Sequence, residues 1–253
     1  GGARYVLLAA DGRTVLDDID VEIETPGRSV GRFPEGDEDV YVLDQPTNGA
    51  ANTYAYSSPV VINEIHFHPP YVPAGKDCSR QCSDARQWVE LLNRSEEAVD
   101  LGGWKLTNGI RYTFEPGTSI PSSGYLVITE DPEMMRMRYG IEDSLGPYEG
   151  QLADGGENVE LVDALGNPVD RVRYFDGGRW SIWADGRGSS LELIDPNQDN
   201  SVASAWEASD ETEKAPWQQL SYSVSNYQRS GEAELHLFLV EKGACLLDDQ
   251  NHP

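Results

Sequence analysis

Short apolar runs separated by turn residues fill the chain and predict an all-β protein. Apolar and polar positions alternate within most runs, as in strands with one buried face. Gly, Pro, Asn and Asp occupy the intervals, where turns require them. The predicted strands are residues 5–8, 15–21, 40–43, 60–67, 87–93, 99–107, 112–114, 124–129, 158–163, 169–175 and 190–194. Two facing sheets are therefore expected to form a β-sandwich.

One segment departs from this pattern and predicts a short helix over residues 131–140. Asp131 stands at the N-cap, Pro132 at the first helical position and Gly140 just after the end. These are the residue types that helix starts and stops prefer. Three methionines within the segment are expected to form its packing face.

Charge limits the classes of partner. The 253 residues include 19 basic and 44 acidic residues, for a net charge of −25. Such a surface repels phosphate backbones, so a nucleic acid is not an expected partner. No run of about eighteen apolar residues exists, so membrane insertion is not expected either. A soluble extracellular protein, or one that collects divalent cations, fits the charge.

Cys78 and Cys82 lie four residues apart in a polar loop and predict a local disulfide. A zinc site would need a second pair of ligands at suitable spacing, and the sequence has none. A disulfide implies an oxidising, extracellular location. The alternative is a pair of free thiols in a disordered insertion. Cys245 is expected to be a small buried residue.

Oxygen-bearing side chains alternate at Asp195, Asn197 and Asp199, as in the first half of a calcium loop. Calcium is the single cofactor that the sequence suggests. Asn200 replaces the glycine expected at the sixth position, and Trp206 replaces the glutamate at the twelfth. The competing interpretation is a turn stabilised by Asp and Asn side chains, which is the commoner structure.

A second candidate is an aromatic ligand surface formed by Arg179, Trp180, Trp183 and Asp185 in a Gly-rich loop. Aromatic rings beside polar groups bind sugars and form the hot spots of protein interfaces. The partner would be a protein or a cell-surface glycan. The same rings could equally plug an open end of the sandwich.

Catalytic motifs are missing. The sequence has no Gly-x-Ser-x-Gly nucleophile elbow and no phosphate-binding glycine loop. His66 and His68 could begin a metal site, but no third ligand is identifiable. Glu64 and Glu90 are expected at outward or edge positions, anchoring loop N–H groups. The chain is therefore predicted not to be an enzyme.

Six segments together resemble the lamin-tail domain, an immunoglobulin-like β-sandwich. They are Val-Ile-Asn-Glu-Ile at 61–65, Trp-Val-Glu-Leu-Leu-Asn at 88–93, Val-Asp-Leu-Gly-Gly-Trp-Lys-Leu-Thr at 99–107, Pro-Ser-Ser-Gly-Tyr-Leu-Val-Ile at 121–128, Gly-Glu-Asn-Val-Glu-Leu at 156–161 and Asp-Ala-Leu-Gly-Asn-Pro-Val-Asp at 163–170. Segments 176–180 and 184–193 resemble the subgroup in bacterial surface proteins that also carry spore-coat-H-type kinase domains.

The resemblance implies how the chain is divided. Residues 60–209 would be a complete lamin-tail domain, after a linker at 53–59. Residues 1–52 resemble the end of a preceding copy, and residues 6–19 are similar to residues 159–172 with one residue inserted. Residues 210–253 would start a further β-sandwich or jelly-roll domain.

The function that follows is a non-catalytic binding or structural module of a secreted multidomain bacterial protein. It would mediate attachment to a protein or a surface, with other domains of the same chain as partners. The alternative is a calcium-assisted carbohydrate-binding module.

Overall fold

A computed structural model describes residues 2–21, 28–43, 45–54, 59–69 and 86–211. Cys78, Cys82, most of the predicted linker and nearly all of the predicted C-terminal domain lie outside these residues. The disulfide and the division at residue 210 therefore stay predictions. No helix in the described part of the chain is long and apolar enough to cross a membrane.

Sixteen strands are described, and their bounds follow in chain order. The N-terminal segment holds β1 (Ala3–Leu8), β2 (Val15–Val21), β3 (Ser29–Arg32) and β4 (Val40–Leu43). Next come β5 (Val60–His66), β6 (Trp88–Asn93), β7 (Val99–Asp100), β8 (Lys105–Thr107), β9 (Ile110–Thr113), β10 (Ser119–Ile120) and β11 (Tyr125–Thr129). The last are β12 (Glu149–Gly150), β13 (Asn158–Val162), β14 (Pro168–Arg173), β15 (Leu191–Leu193) and β16 (Trp206–Ala208).

Two antiparallel five-stranded sheets form the sandwich. The first has the order β11-β6-β5-β15-β16, and the second has the order β12-β9-β8-β13-β14. Side chains alternate between the two faces of a strand, so each sheet turns one apolar row inward. The fully buried core includes Ile65, Val89 and Leu91 from the first sheet and Leu106 and Leu161 from the second. The predicted all-β sandwich is confirmed.

The single α-helix, α1 (Pro132–Tyr139), forms where the sequence predicted it. The Asp131 side chain accepts a hydrogen bond from the Met134 N–H at 3.1 Å, and Gly140 ends the helix with φ 69°. The methionine prediction was only partly right. Met135 is buried, whereas Met137 is 59% exposed.

Several element boundaries differ from the prediction. The run at 99–107 is two strands rather than one, because a turn at Gly102 and Gly103 separates β7 from β8. Gly103 has φ +81°, a conformation that glycine adopts at little cost. Four short strands, β3, β10, β12 and β16, were not predicted.

Asp170 joins the two sheets from inside the sandwich. Its Oδ2 accepts the backbone N–H of Ile62 on β5 at 2.6 Å and the Asn200 Nδ2 donor at 2.8 Å. Burial raises the pKa of this carboxyl above its ordinary value, and the two hydrogen bonds oppose that rise. A buried carboxylate is tolerated where such donors replace water.

The N-terminal segment consists of two separate hairpins, β1–β2 and β3–β4. The β3–β4 hairpin packs Tyr41 against Phe33 and Tyr54, with ring centroids 6.1 and 4.7 Å away. It also contacts the sandwich. Arg171 on β14 forms an ion pair with Asp39 at 3.0 Å.

Candidate functional site

His68 lies just beyond β5 at one end of the sandwich and pairs with Asp185. Its Nδ1 is 2.6 Å from Asp185 Oδ1, and the two residues also form an isolated parallel β-bridge. Asp185 follows the 3-10 turn Ile182–Ala184, whose start is capped by the Ser181 side chain. The pair therefore fastens the loop after β14 to the end of β5.

The loop passes close to the His68 imidazole at Gly186, and this close approach favours glycine there. The Gly186 N–H donates to the His68 carbonyl at 3.0 Å. A Cβ on Gly186 would lie 3.2 Å from the His68 ring, and its φ is +68°. Both the conformation and the close contact favour glycine. The loop is thus shaped to hold the ring of His68.

A second carboxylate stands on the other side of the ring. Asp154 Oδ2 is 3.8 Å from His68 Nε2. The imidazole therefore lies between two acidic groups. Among the described residues, no hydroxyl or thiol is hydrogen-bonded to His68, so the arrangement lacks the nucleophile that a hydrolytic triad needs.

Beneath this end, Gln87 joins β6 to the segment that carries Asp154. Its side-chain Nε2 donates to the Leu152 carbonyl at 2.7 Å, and its Oε1 accepts the Leu152 N–H at 2.8 Å. Gln87 is buried, so both bonds are shielded from water. They fix the backbone two residues before Asp154.

Trp180 is not part of an exposed aromatic surface, which corrects one of the two predicted interpretations. Its side chain is only 8% exposed and packs against Trp206, with ring centroids 6.2 Å apart. Trp180 therefore plugs the sandwich, as the alternative interpretation held. Burial of an indole with another aromatic ring stabilises the core.

Trp183, three residues later, remains partly accessible. The Arg187 guanidinium lies 5.6 Å from the centre of its ring, a cation–π distance. Arg179 is exposed, and Asp185 is half-buried in its pair with His68. We call His68, Asp154, Trp183, Asp185 and Arg187 the His68 end. It holds a half-exposed ring, a cation and two carboxylates.

Residues 53–176 match the sequence model of the family described as Lamin Tail Domain. The match covers the strands of both sheets from β5 to β14. Residues 53–176 are therefore similar to lamin tail domains, and we call the sandwich that they form the lamin tail domain. Lamin tail domains are immunoglobulin-like, non-enzymatic modules, which agrees with the predicted fold and with a non-catalytic role. No curated protein matches the chain.

The predicted calcium residues lie in two local turns. Asp195 Oδ1 accepts the Asn197 N–H at 2.9 Å, and Asp199 Oδ1 accepts the Ser201 N–H at 2.9 Å. The Ser201 hydroxyl, which donates to the same Asp199 oxygen at 2.6 Å, lowers the pKa of Asp199, and the Ser201 N–H lowers it further. The bonds are those of the competing turn interpretation. Asp195, Asn197 and Asp199 are exposed.

Four glutamates form a row across the outer face of the first sheet. Glu90 lies opposite Glu64, Glu64 opposite Glu192, and Glu192 opposite Glu207. Directly opposed like charges destabilise a sheet. Burial, and secondarily the charge of Glu192, raise the pKa of Glu90 above its ordinary value. We call these four residues the glutamate row.

Two of these carboxylates accept hydrogen bonds from neighbouring side chains. Asn63 Nδ2 donates to Glu90 Oε1 at 2.9 Å, and the Ser190 hydroxyl donates to Glu64 Oε1. The outward placement of Glu64 and Glu90 agrees with the prediction, and their anchoring of loop N–H groups stays a prediction. Among described residues, no group of three or more His, Cys, Asp or Glu could hold a metal ion.

Sequence analysis missed Asp154 and the partnership of His68 with Asp185. It considered His68 only as the start of a metal site that lacked a third ligand, and it assigned Asp185 to an aromatic surface. His66 does not share that surface, because its ring is buried against Trp88 at 5.6 Å between centroids. No local pattern joins His68 to a residue 117 positions later. The glutamate row did leave a signal, since each member lies between two apolar residues or beside one.

Proposed function

We propose that the chain is a non-catalytic binding or structural module of a large secreted bacterial multidomain protein. It mediates attachment to a protein or a cell-surface glycan, outside the cell, alongside other domains of the same polypeptide. The His68 end carries this proposal, because Trp183 and Arg187 stack two residues before and after Asp185, and His68 lies between Asp185 and Asp154. The resemblance to the subgroup with spore-coat-H-type kinase domains supports the bacterial context.

The non-catalytic part of the proposal is supported by how His68 is held. Its Nδ1 is committed to Asp185, and its Nε2 faces Asp154. A general base needs its ring nitrogen directed at a proton of the substrate or nucleophile. Here both nitrogens face carboxylates that belong to the fold. The pair is better suited to rigidifying a loop that presents a ligand surface.

The binding part of the proposal is supported by side chains of the kinds that bind sugars and that form the hot spots of protein interfaces. A partly accessible indole offers a flat apolar face, and nearby Arg and Asp side chains offer donors and acceptors. A net charge of −25 disfavours nucleic acid and anionic membrane surfaces as partners. A neutral glycan or a protein remains compatible with that charge.

The test is a panel of immobilised bacterial and host glycans and purified surface proteins, probed with the intact chain. Trp183→Ala and Arg187→Gln should each weaken a specific interaction by at least about tenfold, as loss of a hot-spot residue does. Tyr125→Ala is the matched control, since Tyr125 is an exposed aromatic on β11. Equal losses in all three variants would place the site elsewhere.

Hydrolase and kinase substrates should give no turnover with the same protein. Turnover that one substitution at His68 abolishes would overturn the non-catalytic proposal.

A second candidate is a calcium-assisted carbohydrate-binding module. The acidic surface and the exposed oxygens of Asp195, Asn197 and Asp199 favour it. Calcium that binds only the folded state raises the melting temperature by mass action. The rise should disappear in Asp195→Asn and persist in Asp143→Asn, a control at another exposed carboxylate. A melt that is the same in millimolar calcium and in chelator rejects this candidate.

A further inference from the structure

The β1–β2 hairpin exposes large apolar side chains on a face that has no covering sheet among the described residues. Tyr5 is 60% exposed and Leu7 61% exposed. Their cross-strand partners on the same face are Ile19 and Asp17. An isolated two-stranded hairpin is marginal in water, and contiguous exposed apolar groups mark interaction sites. The exposed apolar face of the β1–β2 hairpin is therefore expected to be covered by a partner.

The β13–β14 hairpin of the lamin tail domain has the same register. In β1–β2, Leu7 pairs with Asp17 and Leu8 with Val15, so one residue is bulged. In β13–β14, Leu161 pairs with Asp170 and Val162 with Pro168, with the same bulge. This pairing equates Leu7 with Leu161, one position away from the alignment that the sequence suggested. A Gly-Gly pair precedes both hairpins at the same distance, at 1–2 and 155–156.

The aspartates at the bulge also correspond in their bonding. Asp17 Oδ1 accepts the N–H of Asp18 at 2.9 Å, and Asp170 Oδ1 accepts the N–H of Arg171 at 3.0 Å. Asp170 uses its Oδ2 to accept the N–H of Ile62 from the facing sheet. In the described chain, Asp17 Oδ1 also accepts a hydrogen bond from the Arg32 guanidinium at 2.9 Å, so the two aspartates share one bond and differ in the other.

Equivalent positions differ sharply in burial. Val159, Leu161 and Val172 are fully buried in the lamin tail domain, where the first sheet covers them. Their counterparts Tyr5 and Leu7 are mostly exposed. The hairpin thus carries the core face of a sandwich without its other half.

The outer edge of β1 also lacks the partner strand that its counterpart β13 has. In the lamin tail domain, β13 pairs with β14 on one side and with β8 on the other, through Leu161 opposite Leu106. In the described chain, β1 pairs with β2 alone. Its outer edge offers unpaired backbone groups, which accept an added strand.

We propose that the β1–β2 hairpin is a docking element for the complementary half of another lamin-tail sandwich of the same polypeptide. That half supplies a β8-type strand antiparallel to β1 and an apolar sheet over Tyr5 and Leu7. It also supplies the backbone N–H that Asp17 accepts. The inference rests on the multidomain part of the proposed function and is independent of the His68 end.

A second copy of the same hairpin fits this face poorly. Face-to-face packing of two copies would bury two Asp17 carboxylates without the strand N–H that Asp170 receives in the sandwich. Each Asp17 would keep only the Arg32 guanidinium and the Asp18 N–H as donors, both to its Oδ1, and burying a carboxylate without enough donors is costly. Two chains of net charge −25 also repel each other.

The test is a chimera in which residues 53–154 are joined directly to residue 1 of the full chain. This reproduces the natural junction before Gly155 and supplies β5 to β12 beside the hairpin. Hydrogen exchange of the Val6 and Leu8 amides should slow by at least about tenfold relative to the unextended chain, as buried strands require. Protected β5 amides in the original domain serve as the folding control.

Two matched substitutions make the result specific. Leu7→Glu should abolish the protection, because it puts a charge on the core face. Val6→Glu should keep it, because Val6 corresponds to Glu160 on the other face. In the unextended chain both variants should exchange like the parent.

Equal behaviour of the two variants in the chimera, or no protection of β1, would overturn the proposal. So would a dimeric unextended chain that Leu7→Glu converts to a monomer, since a second copy would then be the occupant. Ligand binding at Trp183 should not change in any of these proteins, which separates this inference from the proposed attachment function.

Discussion

Asn167 binds the backbone of Val42 with both ends of its side-chain amide. Its Oδ1 accepts the Val42 N–H at 2.6 Å, and its Nδ2 donates to the Val42 carbonyl at 3.4 Å. Asn167 thus acts as one residue of an added strand beside β4. Because Asn167 lies in the turn between β13 and β14, this contact fixes the N-terminal segment to the lamin tail domain.

Asn167→Ala should therefore loosen that joint. The Val42 N–H would lose a buried acceptor, which costs roughly 1–3 kcal/mol. We expect a lower melting temperature and faster proteolysis near β3 and β4. Asn158→Ala, at an exposed position, is the control. If Asn167→Ala leaves proteolysis of the N-terminal segment unchanged, the joint does not hold it.

The two neighbouring tryptophans should differ strongly in their effect on stability. Trp180→Ala removes a buried indole and should destabilise the domain by roughly 3–5 kcal/mol. Trp183→Ala, at a half-exposed position, should cost much less while weakening ligand binding. Chemical denaturation of both variants measures the difference. Comparable losses would contradict the assignment of Trp180 to the core.

Glu90 should make the fold less stable as pH rises. Its pKa is raised in the folded state, so the folded protein holds the proton more tightly than the unfolded chain between the ordinary value of 4.5 and the raised pKa. Stability contributed by this group therefore falls as pH rises through that window. Glu64 and Glu192 are the facing carboxylates, and Asn63 is the opposing donor.

Glu90→Gln should accordingly raise stability at pH 7 by roughly 0.2–1 kcal/mol, the size of a cross-strand charge effect. The amide oxygen can still accept from Asn63. Below about pH 4 the variant and the parent should melt alike, because Glu90 is then protonated in both states. Glu142→Gln, at an exposed position, should show no such pH-dependent gain. A destabilised Glu90→Gln at neutral pH would contradict the repulsion.

Asp185→Ala should free the loop that follows β14. Removal of the carboxylate leaves His68 without its short contact and weakens the adjacent bond from the Gly186 N–H to the His68 carbonyl. Hydrogen exchange at Gly186 should accelerate while β5 and β6 stay protected. Asp176→Ala, an exposed aspartate of the same loop, should leave Gly186 unchanged. Unaltered exchange in Asp185→Ala would show that the pair does not hold the loop.

The sandwich was predictable from sequence because its longer strands are rich in apolar residues and alternate with polar ones over part of their length. Val89 and Leu91 are inward on β6, with Glu90 between them facing outward. Short strands were not predictable by the same means. β3 is Ser-Val-Gly-Arg and becomes a strand only because β4 supplies its hydrogen-bond partners. Tertiary pairing, rather than intrinsic preference, decides such segments.

The candidate site was less predictable because distant segments form it. Aromatic content identified Trp180 and Trp183 together, but pattern alone cannot tell which of two tryptophans three apart enters the core. Contact with Trp206 decides it. The His68 pair depends on a loop that returns after two sheets have formed. Cross-strand alignment of the glutamate row likewise depends on register, which a bulge at β5 helps to set.

The strand order has a mechanical consequence. β5 and β16 each run antiparallel to β15, so they run parallel to each other. The chain therefore enters the first sheet at Val60 and leaves it after Ala208 at opposite ends. Tension on these two points pulls along the strands and across hydrogen bonds that lie perpendicular to them. Several of these hydrogen bonds then bear the force together, in shear, instead of breaking one at a time. We therefore expect the sandwich to resist unfolding when it is pulled at these two points.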